Sequence, residues 1–161
     1  CSAALCLHSS FPITEEAVRR GLERTQWAGR FEYIAGTHAV ILDGAHNAHG
    51  MKGLVATVQA LGEELSLGGI VYATMGDKDY RESLALLKEL NVPLYCTEIP
   101  GMSRSANAEK LAEEARCSGL NVPGSFADPM EALQAAAQAG KPVLCCGSLF
   151  LVGFLREALA V

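Results

Sequence analysis

The sequence predicts an α/β domain in which helices cover both faces of a doubly wound, mostly parallel β-sheet. Three observations carry that expectation. Short, continuously apolar runs recur at residues 39–42, 69–74, 92–97 and 142–146, and continuous rather than alternating apolarity marks strands buried on both faces. Helix-like stretches lie between those runs and are long enough to serve as crossovers between parallel neighbours. With 161 residues, 50% of them apolar and only 19% charged, the chain can fill one packed core and lacks the composition of a disordered segment.

The elements follow in order. Residues 1–9 are mostly small and apolar and read as the last turns of a helix; Phe11-Pro12-Ile13 then breaks the chain. Thr14 is placed to cap a helix running to about Arg24, and Glu15 and Glu16 suit its positive end. After the turn Trp27-Ala28-Gly29-Arg30, two extended runs at 31–34 and 39–42 flank a short link containing Gly36, which predicts a hairpin. Helices are expected over 48–65, 80–90 and 106–117, each after a strand. Asp128-Pro129-Met130-Glu131 reads as a helix start, with an Asp cap, Pro in the first position and Glu to close a capping box. That helix should end near Gly140. Residues 142–146 form a buried strand feeding a last helix over 149–159.

Composition removes several function classes. A net charge of −5 without a run of Lys or Arg offers no basic stripe for nucleic acid. The longest apolar stretches are well short of a bilayer span, and the first residues do not read as a signal peptide. Six cysteines (Cys1, Cys6, Cys96, Cys117, Cys145, Cys146) contain no Cys-x-x-Cys. Three of them sit in apolar runs where Cys behaves as a small hydrophobe, so a reduced, cytoplasmic protein is expected. The chain begins at Cys1 rather than Met, inside a helix-like phrase, and a piece of a longer protein is expected.

Ligands of open α/β sheets collect at the carboxyl ends of the strands, and few polar residues qualify. Asp43-Gly44-Ala45-His46-Asn47 follows the strand at 39–42. In one reading Asp43 and His46 face a ligand whose anionic part lies against helix-start N–H groups. In the other, Asn47 caps the helix, Asp43 forms the turn and His46 is surface. Residue chemistry leaves both open. A metal reading of Asp43, His46 and His49 finds no further strong ligand nearby in sequence, so no metal site is expected. Ser148, in Cys145-Cys146-Gly147-Ser148, would cap the last helix, and its hydroxyl and backbone could bind a carboxylate. The segment is not Gly-x-Ser-x-Gly, which argues against a hydrolase elbow. Lys78, in Gly76-Asp77-Lys78-Asp79, and Arg104, in Ser103-Arg104-Ser105, are candidate substrate contacts; Arg104 could pair with a ligand carboxylate or with Asp79. Arg30 sits where a linker would enter and suits phosphate charge. The chain has neither a Gly-x-x-x-x-Gly-Lys-Ser/Thr phosphate cradle nor a Gly-x-Gly-x-x-Gly dinucleotide fingerprint.

With those residues in view, Trp27-Ala28-Gly29-Arg30-Phe31-Glu32 followed by Ile41-Leu42-Asp43-Gly44-Ala45-His46-Asn47 resembles the signature of folylpolyglutamate and dihydrofolate synthases. Asp77-Lys78-Asp79 and Gly147-Ser148-Leu149 are similar to later segments of that family, which is related to the Mur ligases. The resemblance implies a Rossmann-like, three-layer C-terminal domain over 28–161, with 1–27 as the tail of a preceding ATPase domain and a linker helix. It implies an ATP-dependent ligase that forms an acyl phosphate on folate or dihydropteroate and joins L-glutamate to it. ATP and Mg2+ would be held mainly by that N-terminal P-loop domain, the chain's partner, and the piece alone would be inactive. Carried over by position, Arg30 and Asp43 contact ATP, His46 and Ser148 position glutamate or the acyl phosphate, and Lys78 and Arg104 are candidates only. Ala48 stands where the family often has Pro. Two alternatives are a Mur-type peptidoglycan ligase domain and a non-catalytic module for a small anion.

Overall fold

The structure is a computed structural model that describes residues 6, 10–77 and 79–159. The expected helical turns at 1–9 therefore lie outside the described residues, apart from Cys6. Helix α1 (Glu15–Glu23) begins where the Thr14 side chain accepts from the Ala17 N–H and buries none of its residues. Strands β1 (Glu32–Ile34) and β2 (Val40–Leu42) form the antiparallel hairpin, with Glu32 opposite Leu42 and Ile34 opposite Val40. The chain continues through α2 (Ala48–Leu61), β3 (Gly69–Tyr72), α3 (Arg81–Lys88), β4 (Leu94–Thr97), α4 (Ala108–Cys117), β5 (Gly124–Phe126), α5 (Pro129–Ala137), β6 (Val143–Cys146) and α6 (Leu149–Ala158).

The strand order is β1-β2-β6-β3-β4-β5. Every pairing after the hairpin is parallel. Strands β2, β3 and β6 are buried at every residue, as their unbroken apolar runs require. Their side chains alternate between two cores. Ile41, Ile70, Tyr72, Leu144 and Cys146 pack under Met51, Leu54 and Val55 of α2, Leu84 and Leu87 of α3, and Leu111 and Ala115 of α4. On the other face, Val40, Leu42, Val71, Val143 and Cys145 meet Ala132 and Leu133 of α5 and Leu151, Val152 and Leu155 of α6. Each fully buried aliphatic side chain contributes about 1.5–3 kcal/mol, so this sandwich fixes the sheet from which the loops project.

One consequence governs the site. Strands β2 and β6 are neighbours, yet the helices that follow them leave toward opposite faces, α2 to one core and α6 to the other. The divergence opens a crevice at their carboxyl ends, the place where open α/β sheets bind ligands.

Several boundaries differ from the sequence expectation. Helix α2 stops at Leu61 because Gly62 takes φ 50°, and a short 3₁₀ turn, Gly62–Glu64, follows. Helix α4 starts two residues late, at an Asn107 cap that accepts from Lys110 N–H. Strand β5 was not expected; it is a three-residue, half-buried edge strand beside β4. At α5 the Asp128 side chain accepts from the Met130 N–H rather than from Glu131, so it caps one residue earlier than a capping box does. Ala48 occupies the first position of α2, where Pro would have fitted.

Candidate functional site at the β2–β6 crevice

Three turns meet at the crevice, and backbone hydrogen bonds hold them together. The Asp43 N–H donates to the Cys145 carbonyl at 3.0 Å and lengthens the β2–β6 ladder by one rung. Gly44 N–H donates to Gly29 O at 2.8 Å, and Gly147 N–H donates to Ala45 O at 2.9 Å. The turn after β2 is thereby tied on one side to the 27–30 turn and on the other to the turn after β6.

Asp43 completes the clamp with its side chain. Oδ2 accepts from Phe31 N–H and Oδ1 from Ala45 N–H, both at 2.8 Å. Phe31 has φ 45° and Gly29 φ 67°. A non-glycine residue in the left-handed region costs on the order of 1 kcal/mol or more, and here it turns the Phe31 N–H onto the carboxylate. Arg30 lies between these two residues. A Cβ added to Gly44 would come within 3.1 Å of Arg30 Nη1 and would overlap Leu149 Cδ2. The guanidinium therefore lies over the Asp43–His46 turn, with the first residue of α6 beside it.

His46 is half-buried, and its Nδ1 is 2.8 Å from the Gly44 carbonyl. A carbonyl only accepts, so Nδ1 carries a proton and, in the neutral ring, Nε2 is the acceptor nitrogen. Asn47 caps α2 by accepting from Gly50 N–H. Ser148 is 4% exposed, and its Oγ accepts from Phe150 N–H at 3.1 Å. A hydroxyl used as an acceptor keeps its own proton to donate. Two helix N-termini thus leave adjacent turns. Each carries partial positive charge from its unpaired N–H groups, which suits an anion.

The structure brings Arg30, Asp43, His46 and Ser148 into this one constellation. Arg104 lies on the β3 side of β6. Its guanidinium pairs with Asp77 rather than Asp79, while Asp79 accepts from the backbone of Arg81. The loop carrying Arg104 is bound back to the exit of β3: Gly76 N–H donates to Arg104 O, Ala106 N–H donates to Thr74 O, and Met75 bridges Ser105. Lys78 lies outside the described residues. Among the described residues no group of three or more His, Cys, Asp or Glu side chains is placed to hold a metal ion.

Sequence reading missed the tie that fixes the outer wall. Glu32 of β1 accepts from Gly29 N–H at 2.7 Å, and both its oxygens accept from Arg156 Nε of α6, at 3.0 and 2.9 Å. The Arg156 hydrogen bond holds the Glu32 carboxyl below its ordinary pKa against the opposing effect of burial. No local signal links the two residues, because they meet only when β1 and α6 have both docked. Trp27, at 73% exposure, borders an open cavity of about 340 Å³ lined also by Thr25, Gln26, Arg30, Glu32 and Tyr33.

The comparisons bear on this constellation. The family model described as Mur ligase, glutamate ligase domain matches residues 29–149, which run from the first of the three turns to the start of α6. The chain belongs to that family. This glutamate ligase domain is 33% identical over 154 residues to the dihydrofolate synthase/folylpolyglutamate synthase of Escherichia coli K12, covering 94% of the chain and 35% of the relative. It is 29% identical over 157 residues to the folylpolyglutamate synthase of Lacticaseibacillus casei, covering 94% and 34%. Among solved structures, a bifunctional folylpolyglutamate synthase/dihydrofolate synthase with Mn, AMPPNP and L-glutamate bound superimposes with a TM-score of 0.77 at 29% identity. The match covers 99% of this chain and 38% of that one. The domain thus spans about a third of the length of the curated relatives it matches. Among its described residues no helix is long and apolar enough to cross a membrane.

Proposed function

We propose that this glutamate ligase domain is the substrate-side, C-terminal part of a cytoplasmic, ATP-dependent ligase that adds L-glutamate to folate or dihydropteroate through an acyl phosphate. The observation that carries the reading is the β2–β6 crevice, where Arg30 overhangs two converging helix N-termini. It is a preorganised cationic cradle without a phosphate-binding loop of its own. ATP and Mg2+ belong mainly to an N-terminal P-loop domain, with residues 1–27 as its tail and linker and 28–161 as the closing partner. Neither nucleic acid nor membrane is a partner.

Arg30 contacts ATP from the linker side. Asp43 stands beside it, and each of its oxygens retains acceptor capacity beyond the one amide it binds, so the same carboxylate both builds the turn and faces the nucleotide site. His46 and Ser148 position the incoming glutamate or the acyl phosphate. Lys78 and Arg104 are candidate contacts for substrate carboxylates; Arg104 would have to leave Asp77. Dividing these groups between two domains makes the reaction wait for closure, which keeps water from a hydrolysable intermediate.

The test supplies the P-loop domain from the same source organism, in cis or in trans, with ATP, magnesium, glutamate and folate or dihydropteroate. Phosphate release should require both parts and both substrates. No release above either part alone, from parts that co-elute in gel filtration, would overturn the reading. In the assembled enzyme His46→Ala should lower turnover by roughly a hundredfold or more while the domain stays folded; unchanged turnover removes His46 from the site.

A further inference from the structure

An ion pair near the surface ordinarily adds little to stability, but Glu32 and Arg156 form one that also reaches the backbone beside Arg30. Both Glu32 oxygens accept from Arg156 Nε, at 3.0 and 2.9 Å, and Oε2 accepts in addition from Gly29 N–H at 2.7 Å. The pair is partly withdrawn from water, with side-chain exposures of 36% for Arg156 and 21% for Glu32. One carboxylate thus ties the residue immediately before Arg30 to a side chain of α6 that lies 124 positions beyond Glu32.

Packing brings the same turn onto the same helix. A Cβ at Gly29 would come within 2.8 Å of Val152 Cγ1, and one at Gly44 would overlap Leu149 Cδ2. Leu149, Val152 and Arg156 are spaced three and four residues apart, so they form one stripe along α6. The turn from Gly29 to Glu32 lies along that stripe, and at Gly29 it comes too close for any side chain. On its other side the Gly44 N–H and the Asp43 carboxylate hold it to the loop after β2. Arg156 stands about 10 Å further along the helix axis than Leu149, at 1.5 Å per residue. The turn is therefore fixed to one rigid rod at two separated points, and without the ion pair it can pivot where Gly29 meets Val152.

We infer that Glu32 and Arg156 are positioning residues that set the guanidinium of Arg30 against the nucleotide. The inference rests on the role proposed above for Arg30. The two side chains act through the Gly29 N–H rather than on ATP itself. Arg30 is the next residue, with its guanidinium over the Gly44 turn, so a displacement at Gly29 reaches it directly. An ångström of misplacement costs up to about a hundredfold in rate. A turn still held by Val152 and the Asp43 clamp slips by less, which calls for about five- to tenfold.

The experiment uses the assembled enzyme, chain plus P-loop domain, and measures KM for ATP, KM for glutamate, kcat and Tm. Arg156→Met keeps the aliphatic stem and removes the donor, whereas Glu32→Ala removes both acceptor oxygens. Each should raise KM for ATP about five- to tenfold and leave KM for glutamate unchanged. Arg156→Lys, which restores a cation, should recover most of the loss. In an Arg30→Ala background neither substitution should raise KM for ATP any further. A merely structural ion pair would lower Tm and the active fraction without splitting the two KM values. If Arg30→Ala raises KM for ATP while Arg156→Met and Glu32→Ala keep wild-type values, this inference falls alone. It falls likewise if both KM values rise together, or if the rise persists without Arg30. If Arg30→Ala itself keeps the wild-type KM for ATP, the assigned role of Arg30 falls and takes the inference with it.

Discussion

In Asp43→Asn the carboxamide keeps one acceptor oxygen and places an NH2 donor where the other oxygen stood. The wild-type carboxylate accepts Phe31 N–H and Ala45 N–H at 2.8 Å each, so the variant can satisfy one amide and must set its own donor against the second. Hydrogen bonds to a charged group contribute about 1.5–3 kcal/mol each, and a buried donor left unpaired costs about 1–3 kcal/mol. Asp43 is half-buried, so water softens part of the loss, and about 2–4 kcal/mol is the expected total. With an m-value of about 2 kcal/mol/M, the urea midpoint of this chain should fall by roughly 1–2 M. Circular dichroism at neutral pH reads it directly. Asn47→Ala is the yardstick, because it removes only the cap of α2 and should cost about 1 kcal/mol. A midpoint for Asp43→Asn indistinguishable from wild type would refute the clamp. Turnover measured well below the unfolding range then shows whether the carboxylate has a second task at the nucleotide.

Gly147→Ala should destabilise by about 3–5 kcal/mol, because it combines a strained φ with overlap on the Ala73 backbone and the Tyr72 ring. Gly153→Ala, mid-helix and with open space around its Cβ position, should be neutral or stabilising by up to about 1 kcal/mol; equal melting curves for the two would contradict the packing. The lowered pKa of Glu32 implies stability that is present above its ordinary value of 4.5 and is lost as the pH falls through the folded value. Accordingly, the acid limb of a Tm-versus-pH curve should be flatter in Glu32→Gln, and an unchanged limb would mean that the Arg156 pair holds nothing. Burial raises the thiols of Cys145 and Cys146 and pushes Cys96 up to about 12. Iodoacetamide at mildly alkaline pH should therefore modify exposed Cys117 and spare those three, as peptide mapping will show.

Elements whose signal is local were legible in the sequence. Thr14, Asn47, Asp128 and Ser148 each announce a helix within a few residues, and each caps one. The unbroken apolar runs identified the four inner strands, β2, β3, β4 and β6. Strand β5 was not legible, because Gly124-Ser125-Phe126 is too short for a period and its pairing depends on β4 being there first. Site residues split along the same line. Asp43, His46 and Ser148 were singled out as candidates because they lie at strand ends, but the two acceptor bonds of Asp43 could not be read: Phe31 reaches it only through a left-handed turn. Likewise the sequence left Arg104 either a ligand carboxylate or Asp79 as partner, whereas in space it pairs with Asp77, and Glu32 and Arg156 gave no hint of each other.

Strand β6 is the sixth strand along the chain and the third across the sheet, lying between β2 and β3. Its contacts with Ile41 are among the longest-range in the domain, and loops of that length close slowly because their entropy is lost before any pairing rewards it. Until β6 inserts, β2 and β3 offer two facing unpaired edges, and the crevice has neither its central strand nor Ser148. Folding is therefore expected to finish at the site, with a late intermediate that is sticky, open along its middle and prone to capture a strand from another molecule. Synthesis rate, temperature and chaperone supply would then act on the yield of this domain chiefly through one four-residue segment, Val143–Cys146.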